Sequence, residues 1–252
     1  MFRRNLLAFL CALSMLPVSA SFAKSPTIED GVLLVGTDSS FAPFEFLAED
    51  GKNFTGFDMD LIRAIGKELG YKVVVQNMGF DATVPALRTG IVDAVIAGMT
   101  INEKRKKFVD FSDPYYTSGL IIMVPSSDTT TKSIKDLEGK KIGAQVGTTG
   151  MFRAEKVPSA KVVTFANAAE TFLEFQNGVD AVIQDFPVVA YYVAQGGNKG
   201  RLVGPKMEAE EYGIAVTKGN KELVAQINKA LASLKKSGEF QRIYKKWFGE
   251  EN

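Results

Sequence analysis

The chain has 252 residues, 46% of them hydrophobic, enough for one large domain or two modest lobes and too apolar for a disordered chain. Its 30 basic and 29 acidic residues give a net charge of +1 and a pI near 7.7, without a dominant block of one sign. This excludes the clustered basic face of a nucleic-acid binder. Histidine is absent and cysteine occurs once, so the usual transition-metal ligands are missing and no Ser-His or Cys-His nucleophile can be assembled.

The chain opens MFRRNLLAFLCALSMLPVSASFA. Arg3 and Arg4 precede an apolar run from Leu6 to Val18, and Ser21 and Ala23 put small residues at −3 and −1 of a cut. The run is short of the ~20 residues a membrane span needs. We read residues 1–23 as a secretory signal peptide cut after Ala23, with Ala20 the alternative. Cys11 follows Leu10, where a lipoprotein signal would want a small residue, so a free, unanchored mature chain is expected. The cut removes two cations and no acids, turning the net charge from +1 to −1. It also leaves an exported chain without cysteine, stabilised by core packing alone.

VLLVGTD (32–38) is an apolar run ending in Asp38 and reads as a buried strand. DMDLIRAIGKELG (58–70) sets Leu61, Ile62, Ile65 and Leu69 on one helical face and stops at Gly70. YKVVVQNM (71–78) reads as a strand, and DATVPALRTG as a helix capped by Asp81 and closed by Gly90, with Pro85 near its first turn. IVDAVIAGMT (91–100) reads as the next strand. Strand alternating with helix predicts a parallel sheet with crossover helices. Four consecutive cations follow, Lys104 to Lys107. The ordinary reading of such a run is the solvated face of a short helix.

The pattern then restarts. KKIGAQVG (140–147) and KVVTF (161–165) read as strands, with a short helix over TTGMFRAEK between them. NAAETFLEFQNG is a helix with Asn167 as cap, Glu170 three residues on and Gly178 as stop. VDAVIQD (179–185) closes the second round. Val-Asp-Ala-Val-Ile occurs at both 92–96 and 179–183, each time after a short helix ended by glycine, which predicts two similar α/β lobes. EYGIAVTKG (211–219) is a strand and turn. Two amphipathic helices, NKELVAQINKALASLKKSG and EFQRIYKKWFG, end the chain and are expected to pack back on the first lobe.

Ligands of open α/β sheets bind beyond the carboxyl ends of the strands. Those ends carry Asp38, AGMT (97–100), QVGTTG (145–150) and Asp185. The converging set is Asp38, Arg105 and Asp185, with Thr100, Thr148 and Thr149 as neutral donors and Phe41 and Phe80 as apolar walls. GTTG is too short for a phosphate loop and no lysine follows it. Two carboxylates could serve as acid and base. One cation and one anion on opposite walls match a free amino acid better: Arg105 clamps its carboxylate and Asp185 takes its ammonium. Arg105 is then the inward member of the cationic run, and Lys104, Lys106 and Lys107 are solvated.

GTDSSFAPFEF (36–46), GFDMDL (56–61), VDAVIAGMTINEKRKKFVDFSDPYY (92–116), AQVGTTG (144–150), DAVIQD (180–185), EEYGIAV (210–216) and YKKWFG (244–249) together resemble the periplasmic polar amino-acid binding proteins of ABC importers. The resemblance covers almost the whole mature chain and implies the type II periplasmic-binding-protein fold, two Rossmann-like lobes joined by a two-crossing hinge. It implies crossings at 115–119 and 208–212, a first lobe of 24–114 plus 213–252 and a second of 120–207. It implies that Asp38 faces the ligand side chain and that Phe41 and Phe80 sandwich it. Gly98 would offer its carbonyl to the ammonium, Thr100 would meet the carboxylate, Arg105 would clamp it, Thr149 would donate its N–H and Asp185 would take the ammonium. In glutamine-specific members of this group the positions of Gln145 and Gln184 are usually lysine and histidine; here both are neutral amides.

The expected protein is a monomeric periplasmic receptor that delivers a free L-amino acid to a membrane permease–ATPase. No cofactor, metal, nucleic acid or membrane insertion of the mature chain is expected, and no catalysis. A dehydratase-like enzyme on the same fold would need another titratable group aimed at the reacting carbon. A sensor module would be expected to carry a membrane span or a further domain. Charge favours arginine, with lysine or ornithine next. Arg105 and Asp185 balance the zwitterion, while Asp38 stays unmatched because Gln145 carries no charge. Glutamine is the alternative, held by Gln145, Gln184 and Asp38.

Overall fold

The computed structural model describes residues 25–175, 177–195 and 200–249. The leader read over residues 1–23, with Cys11, lies outside them. Among the described residues no helix is long and apolar enough to cross a membrane.

The first strand, β1 (Val32–Thr37), is an interior strand of its sheet, flanked by β5 and β6, and its Leu33 and Val35 are fully buried. After the short strands β2 (Ser40–Phe41), β3 (Glu45–Leu47) and β4 (Phe54–Thr55), helix α1 (Phe57–Leu69) buries Phe57, Leu61, Ile62 and Ile65 and stops at Gly70 in the left-handed region. Strand β5 (Lys72–Asn77) returns parallel to β1. Helix α2 (Phe80–Arg88), strand β6 (Ala94–Val95), the four-residue helix α3 (Glu103–Lys106) and strand β7 (Val109–Phe111) follow.

Strand β8 (Tyr116–Pro125) leads into a second sheet. It contains β9 (Lys141–Gln145), helix α4 (Thr149–Ala154), β10 (Lys161–Phe165), helix α5 (Ala168–Phe175), β11 (Ala181–Asp185), helix α6 (Phe186–Ala194) and β12 (Gly200–Tyr212). Strand β13 (Ala215–Thr217) and helices α7 (Lys221–Ser237) and α8 (Glu239–Phe248) end the chain. The two five-stranded sheets have the orders β5-β1-β6-β13-β7 and β10-β9-β11-β8-β12. As expected, β1 is parallel to β5 and β6, and β9 is parallel to β10 and β11. The chain crosses between the sheets twice, and β8 and β12 run antiparallel there, with Tyr116 opposite Tyr212 and Ser118 opposite Glu210.

The terminal helices return to the first sheet. Tyr71 reaches Gln226, Ser233 reaches Glu68, and Lys246 and Trp247 both bond Asp60. Phe248 of α8 packs its ring 5.3 Å from Phe44 and 5.0 Å from Tyr116, so the YKKWFG motif underpins the crossing strands.

Three local expectations are corrected. The strand expected over 91–100 keeps a ladder only at Ala94–Val95. The chain then bends away at Gly98, whose φ of 52° leaves the extended region. Helix α2 is not capped by Asp81: it starts at Phe80 after Gly79, and the Phe80 N–H is taken by Asp38 from the end of β1. Pro85 falls in its second turn rather than its first.

Candidate functional site

The carboxyl ends of β1, β6, β9 and β11 meet around one cavity. All ten residues singled out from the sequence line it: Asp38, Phe41, Phe80, Gly98, Thr100, Arg105, Gln145, Thr148, Thr149 and Asp185. Sequence reasoning missed Glu45 and Ala97, which also line it. Gln184, weighed as an amide for a glutamine ligand, does not. Successive strand residues point to opposite faces, so Asp185 faces the cavity while Gln184 turns its Oε1 to the Asp185 N–H.

Arg105 is the buried member of its run; Lys104, Lys106 and Lys107 are exposed. The placement is local. Asn102 caps α3 by accepting the Arg105 N–H at 2.9 Å, which fixes the third helical position to face inward. The guanidinium donates to the Thr100 carbonyl at 2.8 Å and, across the cavity, to the Gly147 carbonyl at 3.2 Å. It lies 5.0 Å from the Phe80 ring centre. Burial lowers its pKa to about 10 despite Glu210 and Asp185 nearby, so it is charged at neutral pH.

Asp38 accepts from Ser40 Oγ, from the Phe80 N–H and from Gln145 Nε2. Burial raises its pKa and these three donors oppose the rise. The acid expected to be unmatched is therefore hydrogen-bonded, but by neutral groups only. Thr148 caps α4, accepting the Met151 N–H and donating to the Gln145 carbonyl. Gly150 lets α4 approach β11, where a Cβ would sit 2.6 Å from the Ile183 carbonyl oxygen. Gly98 receives the Phe41 ring, which a Cβ would meet at 2.6 Å.

Asp185 accepts from the Tyr212 hydroxyl. The Thr100 hydroxyl donates to Glu210 at 3.0 Å, so it is engaged within the protein. Beneath the cavity Asp58 accepts from the Gly98 N–H at 3.0 Å and from the Tyr115 hydroxyl at 2.7 Å, which sets the orientation of Gly98. Neither Glu45 oxygen meets an N–H or hydroxyl donor. Burial, with Asp58 beside it, pushes the Glu45 carboxyl well above the usual range. Three carboxyl groups, Asp38, Glu45 and Asp185, thus line the cavity together with the Arg105 guanidinium.

A charge-lined cavity between two α/β lobes, joined by two antiparallel crossings, is the setting for binding a small solute. The chain belongs to the bacterial extracellular solute-binding proteins, family 3, whose pattern it matches over residues 33–250, and it has the type II periplasmic-binding-protein fold. It is 34% identical over 225 residues to the arginine-binding extracellular protein ArtP of Bacillus subtilis (strain 168), covering 87% of each chain. Among solved structures it resembles an ancestral arginine-binding protein bound to arginine, with 49% identity, a TM-score of 0.84 and coverage of 87% of this chain and 99% of that one. An ancestral arginine-binding protein bound to glutamine is similarly close, with 48% identity, a TM-score of 0.83 and coverage of 88% and 100%.

Proposed function

We propose that the protein captures a free L-amino acid by lobe closure and delivers it to a membrane permease–ATPase of the ABC importer type, acting as a monomer in the periplasm. The observation that carries this is the pairing of buried Arg105 with buried Asp185 across one closed cavity. A carboxylate between Arg105 and the start of α4 would exchange the guanidinium's bonds to backbone carbonyls for charge-assisted ones. An ammonium would replace the Tyr212 hydroxyl or join it at Asp185. Phe41 and Phe80 would hold the stem of the side chain, with Asp38 and Gln145 at its head. The first lobe comprises residues up to 114 and from 213, the second 120–207, with 115–119 and 208–212 bending between them. The Arg105–Gly147 and Gln145–Asp38 bonds span the lobes, so ligand entry requires both to part. A ligand favours the closed state only through the contacts it gains there.

The favoured ligand is arginine, then lysine or ornithine. Acidic groups outnumber the single cavity cation, and a third charge on the ligand reduces that imbalance. A guanidinium can also lie on the aromatic faces. Glutamine is the second reading, favoured by the glutamine-bound relative and by Gln145. A thermal-shift screen of the common L-amino acids tests both. At ~1,000 times Kd a ligand adds about 4 kcal/mol, roughly 8–16 °C of Tm for a chain of this size. No shift with any amino acid would refute the proposal.

A further inference from the structure

Lys104 is exposed beside buried Arg105, yet its ammonium has a partner. It stands 4.0 Å from the centre of the Phe152 ring, well within the range of a cation–π contact. The two residues belong to different sheets. Lys104 lies on α3, between strands β6 and β7 of the first sheet, and Phe152 lies on α4, between β9 and β10 of the second. The contact runs beside the cavity's own bridge. Arg105, the next residue, donates to the Gly147 carbonyl, and the Phe152 N–H donates to the Thr148 carbonyl at 3.2 Å, which ties the ring to that same turn. Lys104, Arg105, Gly147 and Phe152 line one surface hollow together with Phe80. Within it Arg105 is buried, Phe152 half-buried and Lys104 exposed, so the Lys104–Phe152 contact is the outer of the two bridges. Neither Lys104 nor Phe152 lines the cavity.

We propose that Lys104 and Phe152 form a latch that exists only while the two sheets are held together, which makes them positioning residues: they keep the Arg105 clamp shut without touching the ligand. This rests on the amino-acid reading above. Opening the cleft separates α3 from α4, returns the ammonium to water and leaves the ring without its cation. The contact therefore favours the closed form alone. A contact confined to one of two states shifts their ratio by its own free energy, and the apparent affinity of any ligand that needs the closed form moves with that ratio. For a partly solvated ammonium over a ring the factor is about two to five. Because the latch does not touch the ligand, the factor is the same for every amino acid and falls on the dissociation rate.

The test is calorimetric titration with L-arginine and L-glutamine, together with the release rate of whichever radiolabelled amino acid binds. Lys104→Met keeps the apolar stem and removes the cation. It should raise Kd by about two- to fivefold for each amino acid bound, keep their ranking, speed release by the same factor, and leave the Tm of the ligand-free protein unchanged. Lys104→Arg should restore wild-type values. Phe152→Leu should cost a similar factor, and adding Lys104→Met to it should cost nothing more. Lys107→Ala, which removes another exposed cation of the run, should be silent. Full affinity in Lys104→Met, additive losses in the double variant, an equal loss in Lys107→Ala, or a matching fall in the Tm of the ligand-free protein would each overturn the latch alone. Wild-type protein that binds no L-amino acid would overturn it together with the reading on which it rests.

Discussion

Gln145 Nε2 donates to Asp38 Oδ2 at 2.6 Å, joining two residues 107 positions apart on facing lobes. The bond places a neutral amide where a charged group would change which ligands the cavity accepts. Gln145 also donates to the Ala166 carbonyl at 3.3 Å, so its head is held at that spot.

Gln145→Lys should therefore switch selectivity. An ammonium there would neutralise Asp38 and repel a cationic ligand side chain by roughly 2–4 kcal/mol at the effective dielectric of a protein site. Arginine affinity should fall sharply while glutamine affinity holds or rises. Competition between labelled arginine and glutamine on both proteins measures this. If wild-type protein already prefers glutamine at equal concentration, the charge argument for arginine fails while the amino-acid reading survives.

Arg105→Ala removes the only cation lining the cavity among the described residues and leaves a ligand carboxylate buried and unpaired, a loss of roughly 3–5 kcal/mol. Lys106→Ala should cost little, because Lys106 is exposed and its ion pair is with exposed Glu103. Calorimetric titration of both variants separates them. Comparable losses, or a harmless Arg105→Ala, would assign the carboxylate clamp elsewhere.

Asp185→Asn and Asp38→Asn should differ in kind. The first weakens every amino-acid ligand by a similar factor, since all carry the same ammonium. The second reorders the ligands, since Asp38 stands at the side-chain end. A panel of basic, amide and apolar amino acids reads this out. Interchangeable effects of the two substitutions would contradict the assigned polarity of the site.

Burial pushes the Asp58 carboxyl up to about 6, against the pull of the Gly98 N–H and the Tyr115 hydroxyl. The folded value lies above the unfolded one, so the stability tied to this group is full below pH ~4 and lost as pH rises through 6. The loss is on the order of 3 kcal/mol. Asp58→Asn keeps an acceptor for Gly98 and Tyr115 and adds a donor toward Glu45. The variant should thus gain several degrees of Tm over wild type at pH 8, with the gain shrinking toward pH 4. Equal destabilisation at both pH values would show that the carboxylate itself is required.

The strand–helix rhythm was legible because β1, β5, β9 and β11 are apolar runs and α1, α7 and α8 carry amphipathic stripes with capping residues. Arg105 was legible because only its guanidinium matched the chemistry required at a strand end. Glu45 was hidden in PFEF, on a three-residue strand too short to show a period. Glu210 was hidden among Glu208, Glu211 and Lys206, where charges read as solvent-facing. Alternation back from Tyr212 would have found it, because Tyr212 and Glu210 are buried while Glu211 and Ala209 are exposed. The long crossing strands were not delimited. β8 is a continuous apolar run from Gly119 to Pro125, and β12 slips register between Val203 and Ala209, which breaks the two-residue period. Helix α6 is mostly apolar around its circumference and gives no stripe to read.

Strand β13 lies between β6 and β7, so a segment near the carboxyl end of the chain fills the middle of the first sheet. A chain emerging from its amino end has these two strands facing each other across an empty lane until residues 215–217 arrive. The second sheet has no such gap, because all its strands lie between Tyr116 and Tyr212. The inner segment of the sequence can therefore complete its sheet by itself, whereas the first sheet needs both ends of the chain in place to close its ladder.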